Sequence, residues 1–272
     1  AELRARFATA RADPESVAYL EAVRQTPLLR DLTDRRLAFL WATARVLYDD
    51  PAKTLTTKPS TELLLFPALV QAMGRPQKSL YLISPYFVPG EEGTEALVDL
   101  ARRGVQVSIL TNSLAASDVS AVHAGYAKRR ADLLRAGVRL YELKPSANAD
   151  LSAQTGGLGS SSSAGLHAKT FAVDRERVFV GSFNFDMRSA LLNTEMGLVV
   201  DSPALGQQFA DGFEGDVPRV AYEVVLAPDG KSLQWIERSP EGERRYDTEP
   251  GTTALKRMGV GVMSVLPIEW LL

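Results

Sequence analysis

His167 and Lys169 stand two residues apart in G-L-H-A-K-T-F-A-V-D, the opening of a segment that runs from Gly165 to Val200. Apolar alternation on both sides of Asp174–Arg175–Glu176 predicts two strands joined by a turn. Side chains two apart on a strand leave the same face. The spacing therefore sets a nucleophile-capable imidazole beside a permanent cation, in a chain with no cysteine. That pairing suits an anionic phosphate better than a carbonyl. Attack on a phosphodiester needs a nucleophile, neutralisation of the non-bridging oxygens and an acid for the leaving alkoxide. Lys169 would hold an equatorial oxygen as a point charge. Ser182 and Asn184, just past the second strand, can donate hydrogen bonds to the same oxygens. A carboxylate on the other ring nitrogen would fix the tautomer of the imidazole.

The whole string is more specific than the H-x-K alone. His167, Lys169 and Asp174, then Gly181, Ser182 and Asn184, continued by Asp186, Arg188 and Ser189, resemble the H-x-K-x-x-x-x-D and G-S-x-N signature of the phospholipase D superfamily. The resemblance implies a phospholipase D-like sandwich, a phospho-histidine intermediate and no cofactor or metal. It also implies an orienting acid downstream of the histidine, and Glu195 is the acid that fits. Asp174 belongs to the signature but sits at a turn, where aspartate serves local hydrogen bonding. The resemblance makes it mainly structural and distant from the phosphate.

Superfamily sites use two copies of the signature, with one histidine as nucleophile and the other as acid. This chain holds one copy. His123, in D-V-S-A-V-H-A-G-Y-A-K-R-R, is the other histidine, and no H-x-K surrounds it. It is placed early on a helix that follows a strand, the end where α/β folds put ligands. Three readings stay open for it: a packing histidine, a substrate contact, or the second catalytic histidine.

Further segments resemble bacterial cardiolipin synthases, particularly the C-type branch. These are S-P-Y-F-V-P-G at 84–90, T-N-S-L-A-A-S-D-V at 111–119, V-H-A-G-Y at 122–126, Y-D-T-E-P-G-T-T at 246–253 and the terminal L-P-I-E-W-L-L. The resemblance implies the C-terminal half of a two-signature phosphatidyltransferase, inactive without its other half. Its substrates would be phosphatidylglycerol and a second phospholipid or alcohol. Its partner would be the missing N-terminal half or a second copy of the chain. It would sit at the bacterial cell membrane, peripheral or anchored through a missing N-terminal segment, with the membrane face left open. Pro85–Tyr86–Phe87 and Ile268, Trp270 and Leu271 are candidates for bilayer contact. The alternative is a phospholipase D-type phosphodiesterase, or a homodimeric nuclease with one signature per subunit.

A chain of 272 residues can bury a real core to support such a site. The 45% hydrophobic and 24% charged content is that of a soluble globular protein. A net charge of −2 gives no global pull on nucleic acid, so a nucleic-acid partner is not expected. Two histidines and no cysteine argue against a zinc cage. The opening A-E-L-R-A-R-F has neither methionine nor a signal-peptide core, so a fragment or processed product is expected. The apolar tract from Val260 to Leu272 is interrupted by Pro267 and Glu269. It falls short of the roughly 20 residues a membrane span needs.

Residues 1 to about 50 read as helical, and 60–73 as a helix that Pro67 makes uncertain. From there strands near 79–84, 105–109 and 138–143 alternate with helices over 92–103 and 119–136. Gly104 and Gly137 each end a helix before a strand. This alternation predicts an α/β fold with a largely parallel central sheet, flanked by helices on both faces. The G-G-L-G-S-S-S-S-A-G run within 144–165 reads as a flexible connector or a flap beside the His167 strand. A helix over 203–213 and strands near 222–226 and 233–237 follow. The resulting division is 1–55 as a helical bridge, 56–218 as the catalytic half-domain and 219–272 as an extension with short strands and a terminal helix.

Overall fold

Two largely buried strands, β2 (Ser79–Ile83) and β3 (Gln106–Asn112), take the middle of the sheet, where both faces are covered. The structure is a computed structural model and describes residues 3–4, 6–7, 9, 13–36, 39–56, 59–145 and 166–266. It divides into two compact units, residues 1–40 with 146–164 and residues 41–145 with 165–272. The first unit shows helices α1 (Pro14–Arg24) and α2 (Pro27–Thr33). The Thr26 hydroxyl caps α2 by accepting from the Leu29 amide at 3.4 Å.

The second unit is built on a ten-stranded sheet. Its strands, besides β2 and β3, are β1 (Thr43–Tyr48), β4 (Arg139–Leu143), β5 (Thr170–Val173), β6 (Arg177–Gly181), β7 (Met196–Asp201), β8 (Ala221–Leu226), β9 (Leu233–Ser239) and β10 (Gly242–Tyr246). The order across the sheet is β1-β7-β6-β5-β2-β3-β4-β8-β9-β10. Its helices are α3 (Leu65–Met73), α4 (Gly90–Arg102), α5 (Ser120–Ala127), α6 (Arg130–Arg135), α7 (Met187–Leu191), α8 (Pro203–Val220) and α9 (Ala254–Ser264). On one face Leu82, Ile109, Phe171 and Phe179 bury against Leu65, Leu69, Leu97 and Leu133 of α3, α4 and α6. On the other, Tyr81 and Tyr141 pack on Phe213 of α8.

The α/β class with helices on both faces is what the alternation predicts. The sheet itself is mixed rather than largely parallel. Only β2–β3 and β3–β4 run parallel, joined through helices, while the other neighbours pair antiparallel. Short turns at Asp174–Glu176 and after β8 and β9 leave no room for the crossover that parallel pairing needs. Gly104 and Gly137 adopt φ of +86° and +90°, as their helix-ending positions require.

Three local readings need correction. Residues 43–48 are strand, not helix, because Val46 and Tyr48 gain a full antiparallel ladder on β7, with Val46 opposite Leu198 and Tyr48 opposite Met196. The helix expected over 60–73 starts at Leu65, after a 3₁₀ turn at Thr61–Leu63, so Pro67 falls in its first turn, where a missing N–H costs nothing. The helix expected over 119–136 is split into α5 and α6. The Gly/Ser-rich flap, from residue 146 on, and Ile268, Trp270 and Leu271 lie outside the described residues.

His123 is buried on α5, its Nε2 2.8 Å from Glu249 Oε1. The same oxygen meets Arg130 Nη2 at 2.7 Å, and Arg130 Nη1 reaches Glu142 Oε1 at 2.9 Å. Trp235 Nε1 donates to Glu142 Oε2 at 2.8 Å, and the guanidinium lies 5.3 Å from the ring centres of Tyr126 and Trp235. Two of the branch-like segments, V-H-A-G-Y and Y-D-T-E-P-G-T-T, thus meet in one buried cluster. This is the packing reading of His123; a substrate contact would require freeing its ring from Glu249.

Burial alone would raise the Glu249 carboxyl, but the His123 hydrogen bond and the Arg130 charge outweigh it and hold the group at about 2. A depressed carboxyl stabilises the fold above its unfolded value of 4.5 and loses that contribution as pH falls through about 2. Glu249→Gln should therefore cost about 3 kcal/mol at pH 7. In urea denaturation at a series of pH values, the gap from the parent chain should narrow steadily below pH 4.5.

Candidate active site

Strand register gathers six strand ends at one edge of the sheet. Ile83 pairs with Leu110 and with Thr170, Thr170 with Val180, Gly181 with Gly197, and Tyr48 with Met196. The segment carrying His167 and Lys169 enters β5 at this edge. The ladder starts at Thr170, not at His167, although the Gly181 amide donates to the Lys169 carbonyl at 3.1 Å and carries the pairing one residue further. Asn112, at the end of β3, clamps the approach. Its Oδ1 accepts from the Leu166 amide at 2.8 Å, and its Nδ2 donates to the Leu166 carbonyl at 3.3 Å.

The imidazole and the ammonium are neighbours. Lys169 Nζ lies 3.4 Å from His167 Nδ1 and donates to the His167 carbonyl at 2.9 Å. His167 is exposed at the edge, while Lys169 is 8% exposed. Burial lowers the Lys169 ammonium below its usual range, and the charges of Glu195, Asp186 and Asp118 work against that shift. Three carboxylates thus act on this ammonium, and Arg188 acts in turn on Asp186.

The G-S-x-N turn follows β6. A Cβ at Gly181 would overlap the Met196 carbonyl, and one at Gly197 would overlap the Phe179 ring, so this cross-strand pair must be glycine. The close approach lets Ser182 Oγ donate to Glu195 Oε2, while the Met196 amide donates to Ser182 Oγ at 3.1 Å. Glu195 Oε1 also accepts from Ser189 Oγ at 3.0 Å and from Asn193 Nδ2 at 3.4 Å. Among the described residues, no hydrogen bond joins Glu195 to His167. The Asn184 amide N–H donates to Ser189 Oγ at 3.3 Å, and its side-chain Oδ1 is buried with no partner among the described residues.

Asp174 lies at the far end of β5. Seven residues at roughly 3.3 Å each separate it from His167 by on the order of 20 Å. Its carboxylate accepts from the backbone amides of Gln77, Lys78 and Ser79 at 2.7 to 3.0 Å, and its φ is +55° in the hairpin turn. It ties β5 to the start of β2. The structure therefore brings His167, Lys169, Ser182, Asn184 and Glu195 to one edge, with Asp174 and His123 elsewhere.

Asp49 and Lys53 belong to no motif, and the sequence assigns them no role. They form a fully buried ion pair at 2.9 Å. Asp49 also accepts from the Leu65 and Glu195 amides at 2.6 and 2.8 Å, and Lys53 Nζ donates to the Ser189 carbonyl at 3.0 Å. The pair thus grips both ends of the turn that presents Asn184 and Glu195. Burial alone could have been guessed for neither residue from its local pattern. The bilayer role for Pro85–Tyr86–Phe87 also needs correction. Phe87 is fully buried against Tyr126 and Phe185, and the Tyr86 hydroxyl donates to Asp118 at 3.0 Å.

A family described as cardiolipin synthase, phospholipase D-like domain, matches residues 69–217. Cardiolipin synthase C of Escherichia coli is 44% identical over 254 residues, which cover 93% of this chain and 53% of that protein. Cardiolipin synthase A of Klebsiella pneumoniae is 36% identical over 151 residues, 55% of this chain and 26% of that protein. Among solved structures, Nuc of Salmonella typhimurium, a phospholipase D family member, aligns with a TM-score of 0.47 and 19% identity over 68% of this chain and 99% of that one. The chain spans about half the length of the Escherichia coli relative, and less of the other.

Lys53→Met should lower stability by about 3–5 kcal/mol, because it leaves Asp49 buried without its counter-charge. The double variant Asp49→Leu/Lys53→Met should recover part of that loss. Urea midpoints at constant slope are the measurement.

Proposed function

The chain belongs to the phospholipase D-like domain family of cardiolipin synthases, and from that premise we propose that it is the C-terminal half of a phosphatidyltransferase. The observation that carries the reading is the Lys169 ammonium against the His167 ring at an open sheet edge. A ring nitrogen of His167 attacks phosphorus in line, and the phosphorus–alkoxide bond of the donor phospholipid breaks. Lys169 neutralises a non-bridging oxygen, and the Ser182 and Asn184 side chains donate to the same group. A proton passes to the departing alkoxide from a second imidazole. An acceptor hydroxyl, that of phosphatidylglycerol, then displaces His167 from the phospho-histidine and gives up its proton to that second imidazole.

The second imidazole is not in this chain, because His123 is spent on Glu249. The missing N-terminal half supplies it, and the isolated chain is inactive. That the relatives are about twice this length or more supports the half over a second copy. The helices of residues 14–33 form the bridge toward that half. Glu195 orients His167 once substrate displaces the hydroxyls that now occupy it. No helix among the described residues is long and apolar enough to cross a membrane. The protein meets the bacterial membrane peripherally or through an anchor in an N-terminal segment outside this chain.

Mixing this chain with a polypeptide bearing the other H-x-K half should restore transfer of a phosphatidyl group between lipids. His167→Ala should reduce the restored rate by at least about a thousandfold. Undiminished turnover by His167→Ala would remove the histidine from the mechanism. DNA cleavage by a tight homodimer of the chain alone would replace the lipid reading with the nuclease one.

A further inference from the structure

We infer that an apolar trough beside the motif is a binding site for one acyl chain of a phospholipid, an assignment that rests on the phosphodiester reading above. Two open cavities, of about 760 and 480 Å³, lie in the second unit and share Phe66, Ala96 and Phe185 as lining. Together they run between α3 and α4 over one face of the sheet. Leu80 and Leu82 of β2 and Phe171 and Val173 of β5 make the floor of the smaller one. The larger one ends at Asp186 and Met187, directly after the G-S-F-N-F turn.

Two alternations connect this trough to the chemistry. Along the β5 segment, Lys169, Phe171 and Val173 are spaced two apart and share a face, so the strand that holds the cation at its start continues as trough floor. Along the turn after β6, Ser182 and Asn184 alternate with Phe183 and Phe185, and both phenylalanines line the larger cavity. From Lys169 to Val173 the strand covers about 13 Å. One leaflet of a bilayer core is roughly 15 Å deep, so the floor matches the reach of a single acyl chain. Phe66, stacked on Phe183 with ring centres 5.5 Å apart, and Val70 stand exposed at the trough, although the core beneath them is sealed. A phosphate at Lys169 would direct one chain along Phe171 and Val173 into this opening.

Ala96 is exposed on α4 where the two cavities join, so Ala96→Phe plugs the trough without touching His167 or Lys169. The test measures binding of two probes to the chain by calorimetry: lysophosphatidylglycerol below its micelle threshold, and glycerophosphoglycerol, which has the same headgroup and no chain. Ala96→Phe should weaken lysophosphatidylglycerol about tenfold and leave glycerophosphoglycerol unchanged, whereas Lys169→Met should weaken both. If Ala96→Phe misfolds by circular dichroism, Val70→Phe at the exposed rim takes its place. Unchanged lysophosphatidylglycerol affinity in the plugged variant would overturn the trough assignment. So would a plug that alters only self-association, which would make the trough a contact between copies. A plug effect that persists while Lys169→Met changes neither probe would sustain the trough and remove the phosphate reading.

Discussion

The buried pair of Asp49 and Lys53 is the constraint on which the site depends. Two full charges out of water are tolerable only when they pair closely and gain further hydrogen bonds. Here Asp49 takes Lys53 and two backbone amides, and Lys53 adds the Ser189 carbonyl. Each of those partners belongs to a different element: the start of α3, the start of β7 and the short helix after Asn184. The geometry that satisfies the charges therefore also fixes the turn between β6 and β7. Ser189, held from below through its carbonyl, offers its hydroxyl to Glu195 and receives the Asn184 amide. The turn is held by polar contacts that all have to be right together, which makes it rigid without making it apolar.

Much of this was legible in the sequence, and the parts that were not have physical reasons. The hairpin around Asp174 is a local matter: apolar alternation on either side of a turn-forming triplet defines both strands and their register. The helix-ending glycines are equally local. The pairing of His167 with Lys169 follows from spacing alone, even though the ladder begins three residues later than expected. What the sequence could not show was which strands would be neighbours. β1 looks helical because its partner, β7, is far along the chain, and only the ladder between them selects the extended form. For the same reason a sheet expected to be largely parallel proves mixed: helices separate β2, β3 and β4, whereas short turns join β5 to β6, β8 to β9 and β9 to β10. His123 was ambiguous because its partner, Glu249, lies in a segment with no periodicity.

The charge distribution around Lys169 bears on what the edge can receive. Asp118, Asp186 and Glu195 all act on this one ammonium, and each opposes the effect of its burial. A polyanion laid across the edge would bring several phosphates against those carboxylates for each one that the ammonium could meet, and nucleic-acid binding draws its strength from many such pairings. A single phosphodiester asks for only one cation at one place. Its remaining substituents are apolar in a phospholipid, and the next side chains along the same face of β5 are Phe171 and Val173. The order of residues on this one strand, a cation followed by an apolar floor, is what the proposed reading of a lone phosphate with a hydrocarbon attached rests on.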